Sequence, residues 1–263
     1  SGHLTDLLSK EIHWESRIQS KAIQGQTLLG ESVELTPGSL NFDGSFQPEK
    51  GLAGLNATLQ GSVQGGNPTL SFWTLDANIA YTQDRLTVHT AKLTQKGKET
   101  PITAVASGSI AQLSHGLQKS TINLEGELTD ATWPLLEPNP LLNTDADFKL
   151  TGRYGKFILL TQARGTLQSY PMQADLNVLL GVDQLRIKQA QFRSGDTVAD
   201  VEGEVGDTLA LSWQLDAPDL NTILPQTHGR VTSQGELTGS KQSPIINGTL
   251  AAESLLIQGL AIG

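Results

Sequence analysis

Apolar residues fall on every second position through most of this chain, and glycines recur on that same apolar parity. Leu209, Leu211, Trp213 and Leu215 alternate with Ala210, Ser212 and Gln214. This is the period of a strand with one apolar face, because successive side chains of an extended strand point to opposite sides. Met172, Ala174, Leu176, Val178 and Leu180 follow the same rule, as do Leu75, Ala77, Ile79 and Tyr81, and the intervals are filled with Gly, Asn, Asp, Pro and Ser. Helical spacing is confined to Leu4, Leu7, Leu8 and Ile12 and to two short turns, Trp133 to Leu136 and Pro218 to Leu224, the latter stopped by Pro225. The pattern predicts an all-β chain with a few short helical turns.

A second signal lies inside the strands: two apolar residues two apart, glycine two further on, then a larger apolar residue. Copies are Leu40, Phe42, Gly44, Phe46; Ala57, Leu59, Gly61, Val63; Ile122, Leu124, Gly126, Leu128; Phe148, Leu150, Gly152, Tyr154; and Ala199, Val201, Gly203, Val205. Glycine weakens a strand unless a bend, or the close approach of another group, needs the missing side chain. Any one of these glycines could mark a bulge; as a set they predict a sheet curved toward its apolar face. Two longer segments resemble each other, Asp84 to Leu93 and Asp183 to Phe192. In both, the apolar positions are spaced two, three, two (Leu86, Val88, Ala91, Leu93 and Leu185, Ile187, Ala190, Phe192). One extra residue in mid-strand predicts a β-bulge or strand corner. No fixed period accompanies the resemblance, so it is a sheet-building habit and not a solenoid module.

Composition narrows the function classes. Only 37% of the 263 residues are apolar and 5% aromatic, against 27 glycines, which is thin for a compact single core of this size. Absence of cysteine excludes disulfides, thiolate metal sites and a thiol nucleophile. A net charge of -9 argues against nucleic acid or an anionic membrane surface as the main partner. The longest pure apolar runs are short, such as Phe157-Ile158-Leu159-Leu160, far from the ~18 residues of a membrane span. Ser1-Gly2-His3 looks like a cloning remnant and Leu260 to Gly263 stop in mid-pattern. Residues 1–263 are therefore expected to be one continuous repetitive segment of a longer protein.

Catalytic and metal chemistry find no constellation. His3, His13, His89, His115 and His228 are scattered without ligand spacing. Asn143, Asp145 and Asp147 resemble the start of a calcium loop, but its sixth position is Phe148 and its twelfth Tyr154, so a polar turn is expected there instead. No nucleophile elbow, phosphate-binding loop or dinucleotide fingerprint occurs. Neither an enzyme nor a cofactor is expected.

The C-terminal stretch carries a family resemblance. It runs Leu209-Ala-Leu-Ser-Trp213-Gln-Leu-Asp-Ala-Pro218-Asp-Leu220, then Pro225, Gly229-Arg-Val231, Gly235-Glu-Leu237-Thr-Gly239, Pro244-Ile-Ile246-Asn-Gly248-Thr-Leu250, and Leu255, Ile257 and Gly259. This resembles the TamB and AsmA-like (DUF490) family, which includes the inner-membrane subunit of the translocation and assembly module. In that family a W-x-L strand leads through an "apDL" turn to strands of the form G-x-l-x-G. The resemblance is best over 181–263, fair over 84–180 and loose over 1–83. Its motifs are structural, so they imply an architecture: an elongated, curved sheet folded into a trough, the β-taco. They also imply the periplasm of a Gram-negative bacterium, within an inner-membrane-anchored protein.

Two functions follow as expectations. One is a periplasmic bridge whose groove carries phospholipid acyl chains between the inner and outer membranes. Each methylene exposed to water costs ~0.8 kcal/mol, so two chains of ~15 carbons face a barrier on the order of 20 kcal/mol unless an apolar channel replaces the bilayer. The expected groove residues are Leu86, Val88, Leu176, Val178, Leu185, Ile187, Val201, Leu209, Leu211, Trp213, Leu255 and Ile257, with Trp213 expected to fill core space at an end. The other is a scaffold that assembles outer-membrane β-barrel proteins or autotransporters by strand addition. The resemblance implies an outer-membrane BamA-like barrel partner, TamA, engaged through regions outside these residues, and possible unfolded outer-membrane protein clients.

Overall fold

The computed structural model describes the chain apart from residues 1, 6–10, 19–22, 27–31, 51–54, 68–70, 83, 96–100, 114–115, 134–139, 258–259 and 263. The side chains of 2–5, 18, 23–26, 32–40, 61–67, 71–73, 117, 257 and 260–262 are likewise not described, and only their backbone pairing is used below. The chain divides into two units, Ser1–Asp130 and Ala131–Gly263. The first contains β1 (Gly2–Thr5), β2 (Ile12–Ile18), β3 (Ile23–Gln26), β4 (Ser32–Phe46), β5 (Leu55–Asn67), β6 (Ser71–Thr82), β7 (Arg85–Gln95), β8 (Thr103–Ala111) and nearly all of β9 (Thr121–Trp133). The second contains β10 (Leu142–Arg153), β11 (Lys156–Leu167), β12 (Tyr170–Gly181), β13 (Leu185–Ser194), β14 (Thr197–Val205), β15 (Thr208–Ala217), β16 (Thr227–Ser240), β17 (Ser243–Ile257) and β18 (Leu260–Ile262). Each unit is an open antiparallel sheet in which strands successive in the chain pair, from β4 to β9 and from β10 to β18.

Short 3-10 turns, at 48–50, Leu117–Lys119 and Leu220–Thr222 among them, accompany the strands. The last falls inside the expected turn from Pro218 to Leu224. The helical spacing at the N-terminus is not realised: Leu4 lies in β1 and Ile12 opens β2, while Leu7 and Leu8 lie outside the described residues. Leu4 pairs with Trp14 across an antiparallel ladder, so sheet pairing overrides a local period of barely two turns. Trp133 ends β9 as a strand residue, and 134–136 lie outside the described residues. Asn143, Asp145 and Asp147 form no turn. They take the exposed positions of β10, whose burial alternates residue by residue.

Curvature comes from paired irregularities. The register slips in β7 between Val88 and Ala91 and in β13 between Ile187 and Ala190, so His89-Thr90 stand against Ser107 alone and Lys188-Gln189 against Glu202 alone, the one extra residue that the two, three, two spacing predicts. Opposite each bulge stands a glycine: Gly108 faces Val88 and Gly203 faces Ile187, with φ of +142° and +129°. A Cβ on Gly108 would meet the Asn123 carbonyl oxygen and lie 2.8 Å from Leu124 Cα; on Gly203 it would meet the Ala210 carbonyl and lie 2.8 Å from Leu211 Cα. The neighbouring strand thus occupies the space of the missing side chain, so bulge and glycine together bend the sheet. The sequence resemblance between 84–93 and 183–192 is therefore a structural one, a bulged strand followed by a glycine strand that turns the ladder. A third bulge, in the β16–β17 pairing near His228 and Arg230, carries the same spacing in Leu250, Ala252, Leu255 and Ile257.

Gly203→Ala should lower the unfolding free energy by about 3 kcal/mol, through both the positive φ and the carbonyl contact. Gly206→Ala, where an added Cβ would meet nothing nearer than 3.5 Å, should stay within about 0.5 kcal/mol of the parent. Urea unfolding followed by circular dichroism compares the two directly.

Candidate functional site

The antiparallel registers align the apolar parity of each strand with that of its neighbours, producing rows that cross the ladder. In the second unit one row runs Leu150, Leu159, Val178, Ile187, Gly203, Leu211, Leu237, Ile246. Beside it runs Phe157, Leu180, Leu185, Val205, Leu209, and on its other side Leu176, Ala190, Val201, Trp213, Gly235, Gly248. At ~4.8 Å per strand, the span from β10 to β17 is roughly 34 Å. In the first unit Ser16, Phe42, Leu59, Ile79, Val88, Gly108 and Leu124 form one row, and Trp14, Gly44, Ala57, Tyr81, Leu86, Ile110 and Ile122 the next.

These rows bring together most of the residues singled out by parity. Leu176, Val178, Leu185, Ile187, Val201, Leu209, Leu211 and Trp213 share one face of the second unit; Leu86 and Val88 share the corresponding face of the first. Leu255 lies beyond the β17 bulge, and Ile257 pairs through its backbone with Thr227. Val178 is 4% exposed, while the other described members, Leu86, Val88 and Leu255 included, are half-buried. Five apolar residues are fully buried among those described, Ile102, Met172, Val178, Ala217 and Leu220. An apolar face packed in a sandwich would be mostly buried, and one on a flat sheet mostly exposed. Half-burial along the rows from β10 to β16 is what a curved, open sheet produces, and only their ends on β17, Ile246 and Gly248, are exposed.

Trp213 stands in mid-ladder and not at an end. Its ring lies across Gly235, its direct partner on β16, and reaches toward Gly248 on β17. A Cβ on Gly235 would lie 2.6 Å from Trp213 Cη2, and one on Gly248 3.2 Å from Cζ2. The indole Nε1 donates to Ser233 Oγ at 3.1 Å. Trp14 covers Gly44 in the first unit in the same way, with Cζ2 2.6 Å from a Cβ built there, and its ring stacks on Phe42 at 5.7 Å between centroids. An aromatic laid flat over a glycine thickens the floor of the sheet without raising a side chain across it. Depressions of about 500 and 570 Å³ lie at Gly44 and Gly203. Their linings include His13, Glu15 and Asp43, and Arg186, Lys188, Glu202 and Glu204. These are residues of polar parity, so the depressions mark where the sheet is thin and not an apolar channel.

One edge of the second unit's apolar face is closed. Asp219 caps the 3-10 turn by accepting from Asn221 N at 3.1 Å, and the turn buries Leu220 and Thr222 beside Met172, Ser194, Thr197 and Ala217. Thr222 Oγ1 donates to the Asp219 carbonyl at 2.9 Å, which leaves it to accept from Thr197 Oγ1 at 2.7 Å, while Ser194 Oγ donates to the Thr222 carbonyl at 3.0 Å. Every hydroxyl in this dry seam is thus satisfied. The alternation rule did not find it, because Ser194 and Thr197 look like solvent-facing turn residues; the signal was the Pro218-to-Pro225 turn that covers them.

No group of three or more metal-ligating side chains occurs among the described residues, and no described helix is long and apolar enough to cross a membrane. What fold and site define is an open, curved antiparallel β-sheet with one half-covered apolar face. Residues 142–263 match the family model described as TamB, N-terminal domain, nearly the whole second unit. That match supports residues 142–263 as a TamB-family segment. No curated protein and no solved structure gives a significant match.

Gly235→Val should displace the Trp213 ring and destabilise the sheet by about 2 kcal/mol through overpacking. Indole emission should shift to the red, and the shift should disappear when Trp213→Phe is combined with it.

Proposed function

We propose that the apolar face is a groove for phospholipid acyl chains, within a periplasmic bridge between the inner and outer membranes. The observation that carries this reading is the half-burial of continuous apolar rows on a curved sheet, above all Leu150 to Leu237 in the second unit. A contiguous apolar surface of this extent on a water-soluble scaffold calls for a ligand, and acyl chains suit it: long, apolar and without directional hydrogen bonds. Leu86, Val88, Leu176, Val178, Leu185, Ile187, Val201, Leu209, Leu211, Trp213, Leu255 and Ile257 are its proposed lining. The floor of glycines and flat indoles leaves depth for chains, and the polar seam at Thr222 closes one edge against them.

A second reading, a scaffold for outer-membrane protein clients, is favoured by β17. Residues 243–254 are exposed throughout, with Ile246 at 69% and Leu250 at 73%, and β18 covers this strand at Leu255 to Ile257. A strand edge carrying alternate apolar side chains suits β-augmentation by an extended client. Under this reading a client strand would continue the ladder beyond Ile246 and Leu250.

The two separate by experiment. A phosphatidylethanolamine bearing a diazirine in its acyl chain should crosslink to the purified chain, and Leu176→Arg or Leu211→Arg should reduce the yield about tenfold with the dichroism spectrum preserved, since a buried unpaired cation excludes chains. Crosslinking at the parent level in both variants rules out the groove. Saturable capture of an unfolded β-barrel protein at β17, blocked by Ile246→Lys and Leu250→Lys, would support the scaffold instead.

A further inference from the structure

We infer that the turn rim formed by β10–β11 and β12–β13 docks onto an anionic phospholipid bilayer surface. The inference does not rest on the groove reading. It begins where parity fails: of Phe157-Ile158-Leu159-Leu160, only Phe157 and Leu159 join the apolar rows. Ile158 stands opposite Thr151 and Leu179, and Leu160 opposite Lys149 and Asn177, on the opposite, mostly polar face. Leu160 is 42% exposed.

Beside this apolar patch the ladder places Arg153 directly opposite Lys156. Like charges facing each other across two strands destabilise the pair, and the other described strand pairings of this unit avoid it. Asp145 faces Arg164, Arg186 faces Glu204, and Arg230 reaches Asp216 at 3.2 Å. Lys149, Arg153 and Lys156 are exposed and have no ion pair among the described residues; the acid on the same rim, Asp183, pairs with none of them. At the tip, Tyr154 is 52% exposed and Val182 69%. Val182 packs on the turn, its Cγ2 3.1 Å from the place of a Cβ on Gly155.

Three unpaired cations around an exposed tyrosine, valine and leucine match the two layers of a bilayer surface, anionic headgroups above and acyl chains below. An acidic peptide would use the cations and leave the apolar residues in water. The net charge of -9 repels such a surface as a whole, but charges beyond a Debye length of ~8 Å are screened, so this rim is the point at which contact is favourable. The net charge alone, from which no anionic-membrane contact was expected, averages over this corner.

The test is co-sedimentation of the 263-residue chain with vesicles of equal parts phosphatidylglycerol and phosphatidylcholine. The parent should bind at low salt, release at high salt and ignore pure phosphatidylcholine. Arg153→Glu with Lys156→Glu should weaken binding about tenfold or more, Tyr154→Ser with Val182→Ser should also weaken it, and Leu211→Arg should leave it unchanged; dichroism spectra confirm that each variant is folded. Absence of parent binding, equal binding to pure phosphatidylcholine, or a charge reversal without effect would overturn the inference.

Discussion

The backbone of β15 sits where a side chain on Gly203 would stand, and the same contact recurs between β9 and Gly108. Close approach of that kind excludes any other residue type and bends the ladder at a fixed place. The bulge opposite supplies the extra residue that lets the bent strand keep its apolar side chains on one face. Without these pairs, an alternating sequence of this length would form a flat sheet with its apolar face in water. With them, the rows from β10 to β16 curve and half-cover one another.

The polar face shows how an acidic chain sustains such a ladder. Asp147, Gln162, Asp175, Gln191, Asp200, Gln214 and Gln234 occupy one row. Each aspartate is separated from the next by an amide, and Gln162 and Gln191 donate to Asp175 and Asp200 at 3.1 and 2.8 Å. Carboxylates directly opposite one another would repel; amides between them turn repulsion into hydrogen bonding. The outer surface thus stays charged and hydrated without working against the pairing of the strands.

Much of this was legible because strand parity is a local property. The apolar positions, the all-β class and the place of the irregularity in β7 and β13 follow from spacing alone, since one extra residue in a period of two marks a bulge or a strand corner; the pairing registers make it a bulge. What was not legible depends on partners far along the chain. Leu4 and Ile12 belong to a helical spacing, yet pairing of β1 with β2 and of β2 with β4 makes both strand residues. Asn143, Asp145 and Asp147 have turn chemistry, yet they hold the outward positions of β10, where Asp145 faces Arg164. Trp213 could be placed only once Gly235 was known to lie beneath it, and the seam at Thr222 combines hydroxyls from three segments. The exposed edge of β17 and the cationic rim are invisible in sequence for the same reason, since which strand lacks a neighbour is a property of the ladder.

The Trp213–Gly235 and Trp14–Gly44 contacts bear on how such a chain avoids misalignment. A slip of one residue between strands would expose every apolar side chain, but a slip of two preserves parity and leaves hydrophobic pattern indifferent to the error. Here a two-residue slip drives an indole onto a residue that has a side chain, and moves a bulge off the glycine that accommodates it. Large rings and absent side chains therefore act as matching teeth, giving each strand a single alignment in a sequence whose repetition would otherwise permit several.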